Sequence, residues 1–529
     1  MTARQDMQRQ VVEFLSNPAN WPEPVTRIEH VQTHISHLFL GRALAFKMKK
    51  ALRLPYLDFS TLEKRARFCR RELEVNARFS PRLYLGLSRV GRLPDGSLAL
   101  DPPAEAEART VEWLVRMRRF QEDDVLVRHV KSHGLPRPLA VRLALMACAA
   151  HRAAEVKKDA PFAATLLKVW RQVRDALLPH AQALGAQGLN DTLRELQARL
   201  KQADEHLQAR AEAGFVRRCH GDMHLGNIVL MDDEPRLFDA IEFDEELATI
   251  DVLYDLAFLL MDVRHRGLKE AAAVIMNSWL AHCDEESNHA HIALHAPFMA
   301  LRAFIRAMVL MDLAAQQKEA RQKASISQAA AYVRSAAEAL RPSRPFLLAV
   351  GGLSGSGKTT LATALAASLA PGAGMVHLRS DVERKVMAGV DEFTRLPKEA
   401  YTPEMSARVY ERLMRRAALV LKGGWPVLVD AVNARAEERR AFERMAKEMR
   451  VPFIGLWLHA PADVLRARVA ARHHDASDAD VAVLEKQLRY DTGPIDWIQL
   501  DASGPPQQLL RTALETLAAR GIGIDMKGQ

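Results

Sequence analysis

Cysteine and aromatic residues are scarce in this chain of 529 residues. It contains four cysteines, and aromatic residues make up 6% of the sequence. The cysteines, Cys69, Cys148, Cys219 and Cys283, lie far apart and form no CxxC pair. This spacing argues against a disulfide framework and against a zinc cluster. We therefore expect the cysteines to be small residues of the hydrophobic core.

The sequence also lacks a long apolar run. No stretch approaches the roughly 20 apolar residues that a membrane-spanning helix requires. The start, Met1-Thr2-Ala3-Arg4-Gln5-Asp6, is not the basic segment followed by an apolar segment that is typical of a secretory signal. We expect a cytoplasmic protein that does not interact with membranes.

Neither sign of charge dominates. The net charge of +9 is modest for the length, and it suits anionic ligands such as nucleotides. Solvated arginine-rich helices give the same total, so charge alone does not predict binding to nucleic acid. The hydrophobic fraction of 48% is ordinary for a globular protein, and the length predicts about two to four domains.

The most informative stretch covers residues 346–360. Its first five residues, Phe-Leu-Leu-Ala-Val, are typical of a buried parallel strand, and the apolar residues after position 360 are typical of a helix. The glycine-rich segment between them is predicted to turn its backbone N–H groups toward phosphates, while Lys358 reaches the outer phosphates and Thr359 ligates Mg²⁺. This pattern predicts an ATP-binding loop. Its predicted binding residues are Gly352, Ser354, Gly355, Ser356, Gly357, Lys358, Thr359 and Thr360.

The amino-terminal region predicts a hairpin followed by a helix. Residues 28–40 and 43–50 alternate as two strands joined by a tight turn. The helix is predicted to start with Ser60 as its N-cap. Glu72 inside the helix could pair with a lysine of the second strand, although such residues are more often solvated.

A polar pattern follows a helical region. Residues 219–230 read Cys-His-Gly-Asp-Met-His-Leu-Gly-Asn-Ile-Val-Leu, with Asn227 five residues after Asp222, and Asp239 follows the next predicted strand. This pattern resembles the catalytic loop of the aminoglycoside phosphotransferase and choline kinase branch of the protein-kinase-like fold. The resemblance implies that Asp222 deprotonates an acceptor hydroxyl and that Asn227 and Asp239 hold Mg²⁺. It also assigns Lys47 to the ATP phosphates, with Glu72 as its partner.

The chain departs from that family pattern at two places. No GxGxxG precedes Lys47, and the hairpin offers only Thr33-His34-Ile35-Ser36, as in members of this branch that cover phosphates with a Ser/Thr-containing turn. Asp239 is followed by Ala-Ile-Glu-Phe-Asp, so Glu242 or Asp244 could share or take the metal role. A polar turn without catalytic function and a kinase-like domain without turnover are the alternatives.

Segments downstream of this loop are interpreted as structural. Residues 251–258 resemble an Asp-x-x-x-Asp-Leu-Ala element of the same branch, and we expect them to brace the catalytic loop from a helix. Arg302 and Arg306 are predicted to be solvated or paired with carboxylates. Two prolines in residues 341–345 end the helices and mark the predicted domain boundary.

The carboxyl-terminal region alternates strands and helices, as in a parallel sheet covered on both faces. Asp381 and Arg384 resemble the Asp-x-x-Arg element of P-loop kinases of the polynucleotide kinase and zeta-toxin type, where the Asp activates a hydroxyl and the Arg holds a substrate anion. A capped helix start with a solvated arginine is the alternative.

Further residues of this region are assigned by their position. Asp430 ends another buried strand, near the expected Mg²⁺. Arg468 and Arg472 are predicted to neutralise the transferring phosphoryl group from a lid. The neighbouring His473, His474 and Asp475 are interpreted as surface residues rather than as a metal site.

These patterns predict a fusion of two phosphotransferase modules. Residues 1–340 are expected to form an α+β aminoglycoside-phosphotransferase-like domain, and residues 345–520 a P-loop kinase with a parallel α/β sandwich. Together they resemble the family described as bifunctional aminoglycoside phosphotransferase and ATP-binding proteins. The prediction is an ATP- and Mg²⁺-dependent kinase of a small metabolite or nucleotide-like acceptor. A 5′-hydroxyl nucleic-acid kinase and a nucleotide-sensing regulatory ATPase are the alternatives, and the sequence predicts no oligomeric state.

Overall fold

The protein is described by a computed structural model that covers residues 3–33, 35–54, 57–185, 187–283, 285–471 and 477–522. Its contacts divide it into two compact units. The first unit comprises Met1–Gly134, Ala149–Phe162 and Gly214–Asp255. The second comprises Leu135–Cys148, Ala163–Ala213 and Leu256–Gln529.

Residues up to 340 contain both strands and helices, and helices predominate after residue 125. The helices are α1 Ala3–Ser16, α2 Leu62–Ala77, α3 Leu126–His133, α4 Arg137–Ala153, α5 Phe162–Leu177, α6 Leu189–Gln202, α7 Asp204–Glu212, α8 Glu245–Ala248, α9 Val252–His265, α10 Lys269–Cys283, α11 Glu286–Ala290, α12 His295–Ala315 and α13 Glu319–Ala339. The strands are β1 Glu29–Gln32, β2 Ser36–Leu40, β3 Leu44–Lys49, β4 Arg53–Leu54, β5 Leu57–Asp58, β6 Tyr84–Arg92, β7 Leu98–Leu100, β8 Arg109–Arg118, β9 Val216–Arg218, β10 Ile228–Met231, β11 Glu234–Leu237 and β12 Thr249–Asp251.

Strand and helix then alternate regularly in the rest of the chain. The strands are β13 Leu347–Gly352, β14 Val376–Arg379, β15 Val427–Asp430, β16 Phe453–His459 and β17 Ile498–Asp501. The helices are α14 Lys358–Ser368, α15 Ser380–Met387, α16 Pro403–Lys422, α17 Ala436–Glu448, α18 Ala462–Ala470, α19 Val481–Gln487 and α20 Pro506–Ala518.

An antiparallel sheet organises the first unit, in the order β1-β2-β3-β8-β6-β7. Alternate residues of β3 point to opposite faces. Phe46 and Met48 join a core cluster with Val11 and Leu15 of α1, whereas Ala45 joins a second cluster with Cys69 of α2. Lys47 and Lys49 share the alternation of Ala45, so both lysines are directed to the side of the sheet that α2 covers.

Two local predictions in this unit are wrong. Residues 28–40 form two strands instead of one, because Thr33 closes a turn in which its hydroxyl oxygen accepts a 3.0 Å hydrogen bond from the Ser36 N–H. The N-cap of α2 is Thr61, not Ser60, and its hydroxyl accepts from the Lys64 N–H. The Ser60 hydroxyl instead donates to Asp58 at 2.6 Å, which draws it away from the helix end.

A parallel sheet organises the carboxyl-terminal part of the second unit, in the order β14-β15-β13-β16-β17. The predicted parallel sheet is therefore confirmed. Strand β13 lies between β15 and β16, so the glycine-rich loop that follows it starts at the centre of the carboxyl edge of the sheet. Ligands of such sheets bind at this edge.

Residues on both sides of the predicted boundary at 341–345 are hydrogen-bonded within the second unit. The Asn277 side chain of α10 accepts from the His377 N–H at 2.8 Å, and the Arg264 guanidinium of α9 donates to the Ala367 carbonyl at 3.0 Å. The boundary itself stays a prediction, because the second unit includes helices that precede it.

Burial corrects two predictions about side chains. All four cysteines are buried, as expected, but Cys148 of α4 and Cys283 of α10 form a disulfide, so the expectation of unpaired cysteines is wrong for this pair. Helix packing brings together two residues that are 135 positions apart. Arg302 is buried, so the alternative of a solvated arginine is wrong at this position, while pairing with a carboxylate stays a prediction; its guanidinium lies 4.8 Å from the centroid of the Phe258 ring. Within the described residues, the helices are all too short or too polar to cross a membrane.

Candidate functional site

The loop after β13 has the backbone that phosphate binding requires. Gly352 and Gly355 have φ values of 139° and 84°, a region that favours glycine. A Cβ atom at Gly352 would lie 2.5 Å from the Leu458 carbonyl oxygen, and one at Gly355 would lie 2.7 Å from that of Leu465. The loop therefore needs glycine at both positions for conformation and for space, and α14 starts directly after it at Lys358.

Two oxygen ligands suited to a divalent cation meet beside this loop. The Thr359 hydroxyl donates to the Asp430 carboxylate at 2.7 Å. Burial by itself raises the pKa of Asp430, but the hydrogen bond from His377 and the charges of Arg379 and Lys358 lower it to about 2. Asp430 is therefore ionised at neutral pH. A hydroxyl and a charged carboxylate are the ligands that Mg²⁺ prefers, so these residues fit the predicted metal role.

An arginine next to this pair was not predicted from the sequence. Arg379, the last residue of β14, places Nη2 3.4 Å from the Thr359 hydroxyl and Nε 3.7 Å from the Asp430 carboxylate. Its Nη1 lies 3.9 Å from the buried carboxylate of Glu392, which also pairs with Arg137 at 3.3 Å. Arg379 lies two residues before Asp381, but its position in the sequence gave no indication that it lies between the carboxylates of Asp430 and Glu392.

The predicted acceptor residues line the same cleft as the P-loop. This cleft of about 1650 Å³ is lined by Lys358, Thr359, Asp381, Arg384 and Asp430. Burial raises the pKa of Asp381, partly opposed by the charge of Arg379. A carboxylate with a raised pKa is better able to accept a proton from a hydroxyl. Asp381 lines this cleft from the start of α15, and its role as the base stays a prediction.

Arg384 is buried and held from several sides. Its Nη1 donates to the Ala400 carbonyl at 2.7 Å, its Nη2 to the Ser406 hydroxyl at 3.3 Å, and its guanidinium lies 4.8 Å from the Tyr401 ring centroid. The alternative of a solvated arginine is wrong, because Arg384 is only 8% exposed. Its role toward an acceptor anion stays a prediction.

Of the two predicted lid arginines, the structure describes Arg468 but not Arg472. Arg468 lines the cleft, but its guanidinium donates to the carbonyls of Ala502, at 2.7 Å, and Ser503, at 3.2 Å. In this state it fixes the loop after β17. Arg472 and the neighbouring residues His473, His474 and Asp475 lie outside the described residues. The prediction of an arginine-bearing lid therefore stays untested.

The second predicted site lies in the first unit and is built around Asp222. The Asn227 side-chain amide donates to the Asp222 carboxylate at 2.8 Å, which leaves the amide oxygen of Asn227 available to a metal. Asp239 follows β11 with φ of 59°, a left-handed conformation that is uncommon for a residue other than glycine. The backbone N–H of Asp239 donates a 3.0 Å hydrogen bond to the Tyr84 hydroxyl. Backbone strain of this kind clusters at functional sites.

The structure brings Lys47 and Glu72 together, 2.7 Å apart, and also places Lys47 2.6 Å from Asp239. Burial raises the pKa of Glu72, but Lys47 and Lys49 outweigh this effect and lower it to about 2. Lys49 was not predicted as part of the site. It pairs with the other oxygen of Glu72 at 2.7 Å and with Glu242 at 2.5 Å.

The geometry distinguishes the three carboxylates that could hold the metal here. Glu242 is buried against Lys49, and Asp244 caps α8 by accepting from the N–H groups of Glu246 and Leu247. Asp239 is 46% exposed at its side chain and faces Lys47. Asp239 therefore offers an accessible carboxylate next to Lys47, and which of Asp239, Glu242 and Asp244 holds the metal stays a prediction.

The predicted brace of the catalytic loop is confirmed. Asp255, at the start of α9, accepts hydrogen bonds from the backbone N–H groups of His220 at 3.2 Å and Gly221 at 2.9 Å. His151 contacts the same carboxylate at 3.3 Å. Asp255 is fully buried, so its two oxygens fix the backbone that carries Asp222.

Comparisons with known proteins match the two regions of the chain that contain these residues. Residues 96–294 match the model of the phosphotransferase enzyme family, and residues 347–494 match an AAA domain model. An uncharacterized protein of Mycobacterium tuberculosis is 27% identical over 495 residues, which cover 90% of this chain and 93% of the relative. An adenylyl-sulfate kinase of Myxococcus xanthus is 30% identical over 175 residues, which cover 33% of this chain and 85% of the enzyme.

Solved structures of kinases are also similar to parts of the chain. The GDP complex of aminoglycoside 2′-phosphotransferase-IIIa is 13% identical and covers 64% of this chain and 97% of its own, with a TM-score of 0.37. A gluconokinase from Sinorhizobium meliloti is 23% identical and covers 34% of this chain and 95% of its own, with a TM-score of 0.25.

The family matches fall on the two regions in which the sites lie. The phosphotransferase match contains Asp222, Asn227 and Asp239, and the AAA match contains Lys358, Thr359 and Asp430. Both halves carry kinase-type domains, and the protein is an ATP-dependent phosphotransferase. The chain therefore belongs to a family of fused phosphotransferases, in which an aminoglycoside-phosphotransferase-like domain is joined to a P-loop kinase domain.

Proposed function

We propose that this protein transfers the γ-phosphoryl group of ATP to a hydroxyl of a small, anionic, nucleotide-like acceptor at the P-loop site. The observation that carries this proposal is the meeting of Lys358, Thr359, Asp430 and Asp381 in one cleft. This set contains a phosphate-binding cation, a pair of oxygen ligands for Mg²⁺ and a half-buried carboxylate that can accept a proton. A phosphoryl transfer needs these groups in one place.

At this site, Lys358 and the loop N–H groups bind the phosphates, and Thr359 and Asp430 hold Mg²⁺. Mg²⁺ held there would supply positive charge to the phosphates during transfer. Asp381 accepts the proton of the acceptor hydroxyl, while Arg384 binds an anionic group of the acceptor. A relative named adenylyl-sulfate kinase supports an acceptor that combines a nucleotide with an anionic group.

We also propose that the first unit binds a second Mg·ATP. Lys47, paired with Glu72, binds the phosphates, and Asn227 and Asp239 hold the metal. Asp222 orients and deprotonates a hydroxyl of an acceptor at this site. Its carboxylate is 36% exposed at the side chain, so a substrate can reach it.

The experiment measures ADP release by the full-length protein with Mg·ATP and a panel of acceptors. The panel contains nucleotides with anionic substituents, phosphorylated metabolites, neutral sugars, aminoglycosides and a 5′-hydroxyl oligonucleotide. We expect an anionic nucleotide or metabolite to stimulate ADP release and to accept label from γ-labelled ATP. Lys358→Ala should remove that stimulation.

Other outcomes lead to defined conclusions. Stimulation by the oligonucleotide alone would favour the nucleic-acid kinase instead. Stimulation that survives Lys358→Ala but is lost in Asp222→Asn would assign the acceptor to the first unit. If every acceptor fails while nucleotide binding is intact, the nucleotide-sensing alternative replaces the kinase proposal.

A further inference from the structure

Lys49 is a buried cation beside the proposed nucleotide site of the first unit. Its side chain is 1% exposed, and its ammonium lies 4.8 Å from the centroid of the Phe59 ring. A lysine in such a place costs free energy unless its charge is paired, and an apolar residue would be accommodated more easily. Its presence therefore points to a role other than filling the core.

Two carboxylates pair with this lysine. Lys49 Nζ lies 2.7 Å from Glu72 Oε2 and 2.5 Å from Glu242 Oε1, and both glutamates are buried. The other oxygen of Glu72, Oε1, lies 2.7 Å from Lys47. The carboxylate of Glu72 is thus shared by two lysines that lie two residues apart on β3, and its orientation is fixed by both.

These contacts connect three segments of the first unit. Lys49 belongs to β3, Glu72 to α2, and Glu242 to the loop three residues after Asp239. Each segment carries or positions a residue of the proposed nucleotide site: Lys47 on β3, its partner Glu72 on α2, and Asp239 before Glu242. A shift of α2 or of this loop would break at least one of the short ion pairs.

We propose that Lys49 and Glu242 are positioning residues of this site: the pair ties α2 and the loop after Asp239 to β3, and so holds Lys47 where it meets the nucleotide phosphates. The inference rests on the proposed nucleotide site in the first unit. Without Lys49, one oxygen of Glu72 loses its partner, and the carboxylate can turn to hold Lys47 with both oxygens. Lys47 is then drawn away from Asp239 and from the phosphates.

The test uses the full-length protein with Lys358→Ala as the background, so that the P-loop site contributes little to nucleotide binding. Binding of a fluorescent ATP analogue is titrated with Mg²⁺ present, and thermal unfolding is recorded for each variant. We expect Lys49→Met to weaken binding about tenfold, which corresponds to about 1.4 kcal/mol. The isosteric change Glu242→Gln should weaken it less, because Lys49 keeps its contact with Glu72.

The double variant separates a positioning pair from two independent losses. Because both residues act through the same contact, Lys49→Met/Glu242→Gln should bind nucleotide no more weakly than Lys49→Met alone. Lys64→Met serves as the matched control, since Lys64 lies on α2 but is 44% exposed and pairs with Asp58. This control should leave affinity unchanged. If Lys49→Met does not fold, Glu242→Gln carries the test.

Failure of this inference can be told apart from failure of the proposed site. Lys47→Ala in the same background should abolish the remaining binding. If it does, and Lys49→Met and Glu242→Gln both bind with unchanged affinity, the positioning role is wrong but the site stands. If Lys47→Ala has no effect, the nucleotide site itself is wrong. Equal loss of affinity in Lys64→Met would also overturn the positioning role.

Discussion

The Thr359 hydroxyl donates a 2.7 Å hydrogen bond to the Asp430 carboxylate, although 71 residues separate the two in the chain. The register of the parallel sheet explains this contact. Val350 of β13 pairs with Asp430 of β15, so the loop and helix that follow β13 begin beside the carboxyl end of β15. The sheet order thus brings two oxygen ligands to one point before any metal binds.

Removing the P-loop lysine should affect nucleotide binding far more than stability. In Lys358→Ala, we expect Mg·ATP binding at this site to weaken at least tenfold, about 1.4 kcal/mol or more, because the ammonium no longer meets the phosphates. Titration calorimetry on the full-length protein should show one site fewer. Lys422→Ala, an exposed residue at the end of α16, is the control. Unchanged calorimetry for Lys358→Ala would contradict the P-loop assignment.

Substitutions at Asp222 and Asp239 should separate chemistry from binding in the first unit. In the Lys358→Ala background, Asp222→Asn should keep its affinity for Mg·ATP but lose phosphoryl transfer, because it cannot accept a proton. Asp239→Asn should lose Mg²⁺-dependent binding as well. Both are measured by nucleotide titration and by ADP release. Normal turnover in both variants would show that this unit is not a kinase of the proposed kind.

The two acceptor residues of the P-loop cleft should change different kinetic constants. Asp381→Asn should lower kcat about 100-fold or more, since proton transfer by a positioned side chain contributes about 10²–10⁴-fold. Arg384→Ala should raise the KM for the acceptor more than it lowers kcat, because it removes a binding contact. Steady-state kinetics with the acceptor that the ADP-release panel identifies will test this difference between kcat and KM. A reversed pattern would assign the two residues to other roles.

The charge of Glu392 should influence the metal requirement of the P-loop site. Glu392 is buried and lies between Arg137 and Arg379, and Arg379 in turn lies beside Thr359 and Asp430. In Glu392→Gln, the charge of Arg379 is less compensated, so we expect several-fold more Mg²⁺ to be needed for half-maximal nucleotide binding. Arg415→Gln, an exposed arginine on α16, should leave the requirement unchanged. An unchanged requirement in Glu392→Gln would exclude this electrostatic effect.

His295 should make folding stability sensitive to mild acid. Its Nε2 accepts a hydrogen bond from the Ala373 N–H at 3.1 Å, which requires the neutral ring, and burial lowers its pKa to about 4. The unfolded chain binds this proton near pH 6.5, so stability should fall as pH drops from about 6.5 to 4, by roughly 3 kcal/mol. Urea unfolding across this range should show a smaller pH slope in His295→Gln than in wild type. An equal slope would assign the acid sensitivity to other groups.

The sequence alone predicted the features that depend on residues close together in the chain. The P-loop and the parallel strands around it follow from local spacing, because turns and helix starts are set by neighbouring residues. The assignment of Asp222, Asn227 and Asp239 came from a family resemblance carried by a short stretch of sequence. Asp255 was also predicted as a brace, on a family resemblance, and its hydrogen bonds to the catalytic loop confirm this.

Other predictions failed because several nearby residues could satisfy the same local pattern. Ser60 and Thr61 are both good N-caps, and Asp58 decided the outcome by accepting from the Ser60 hydroxyl. Residues 28–40 alternate like one strand, but the side chain of Thr33 forms a turn within them. Local propensity does not distinguish such alternatives when their free energies are close.

The tertiary structure decided which charged side chains share a buried space. Lys49 lies two residues after Lys47 and was not singled out from the sequence, and only the packing of α2 and of the loop after Asp239 encloses it between two glutamates. In the same way, strand order and helix packing placed Arg379 beside Asp430 and paired Cys148 with Cys283. Such contacts join residues far apart in sequence, so their energies depend on the folded arrangement of whole elements, which residue spacing along the chain does not encode.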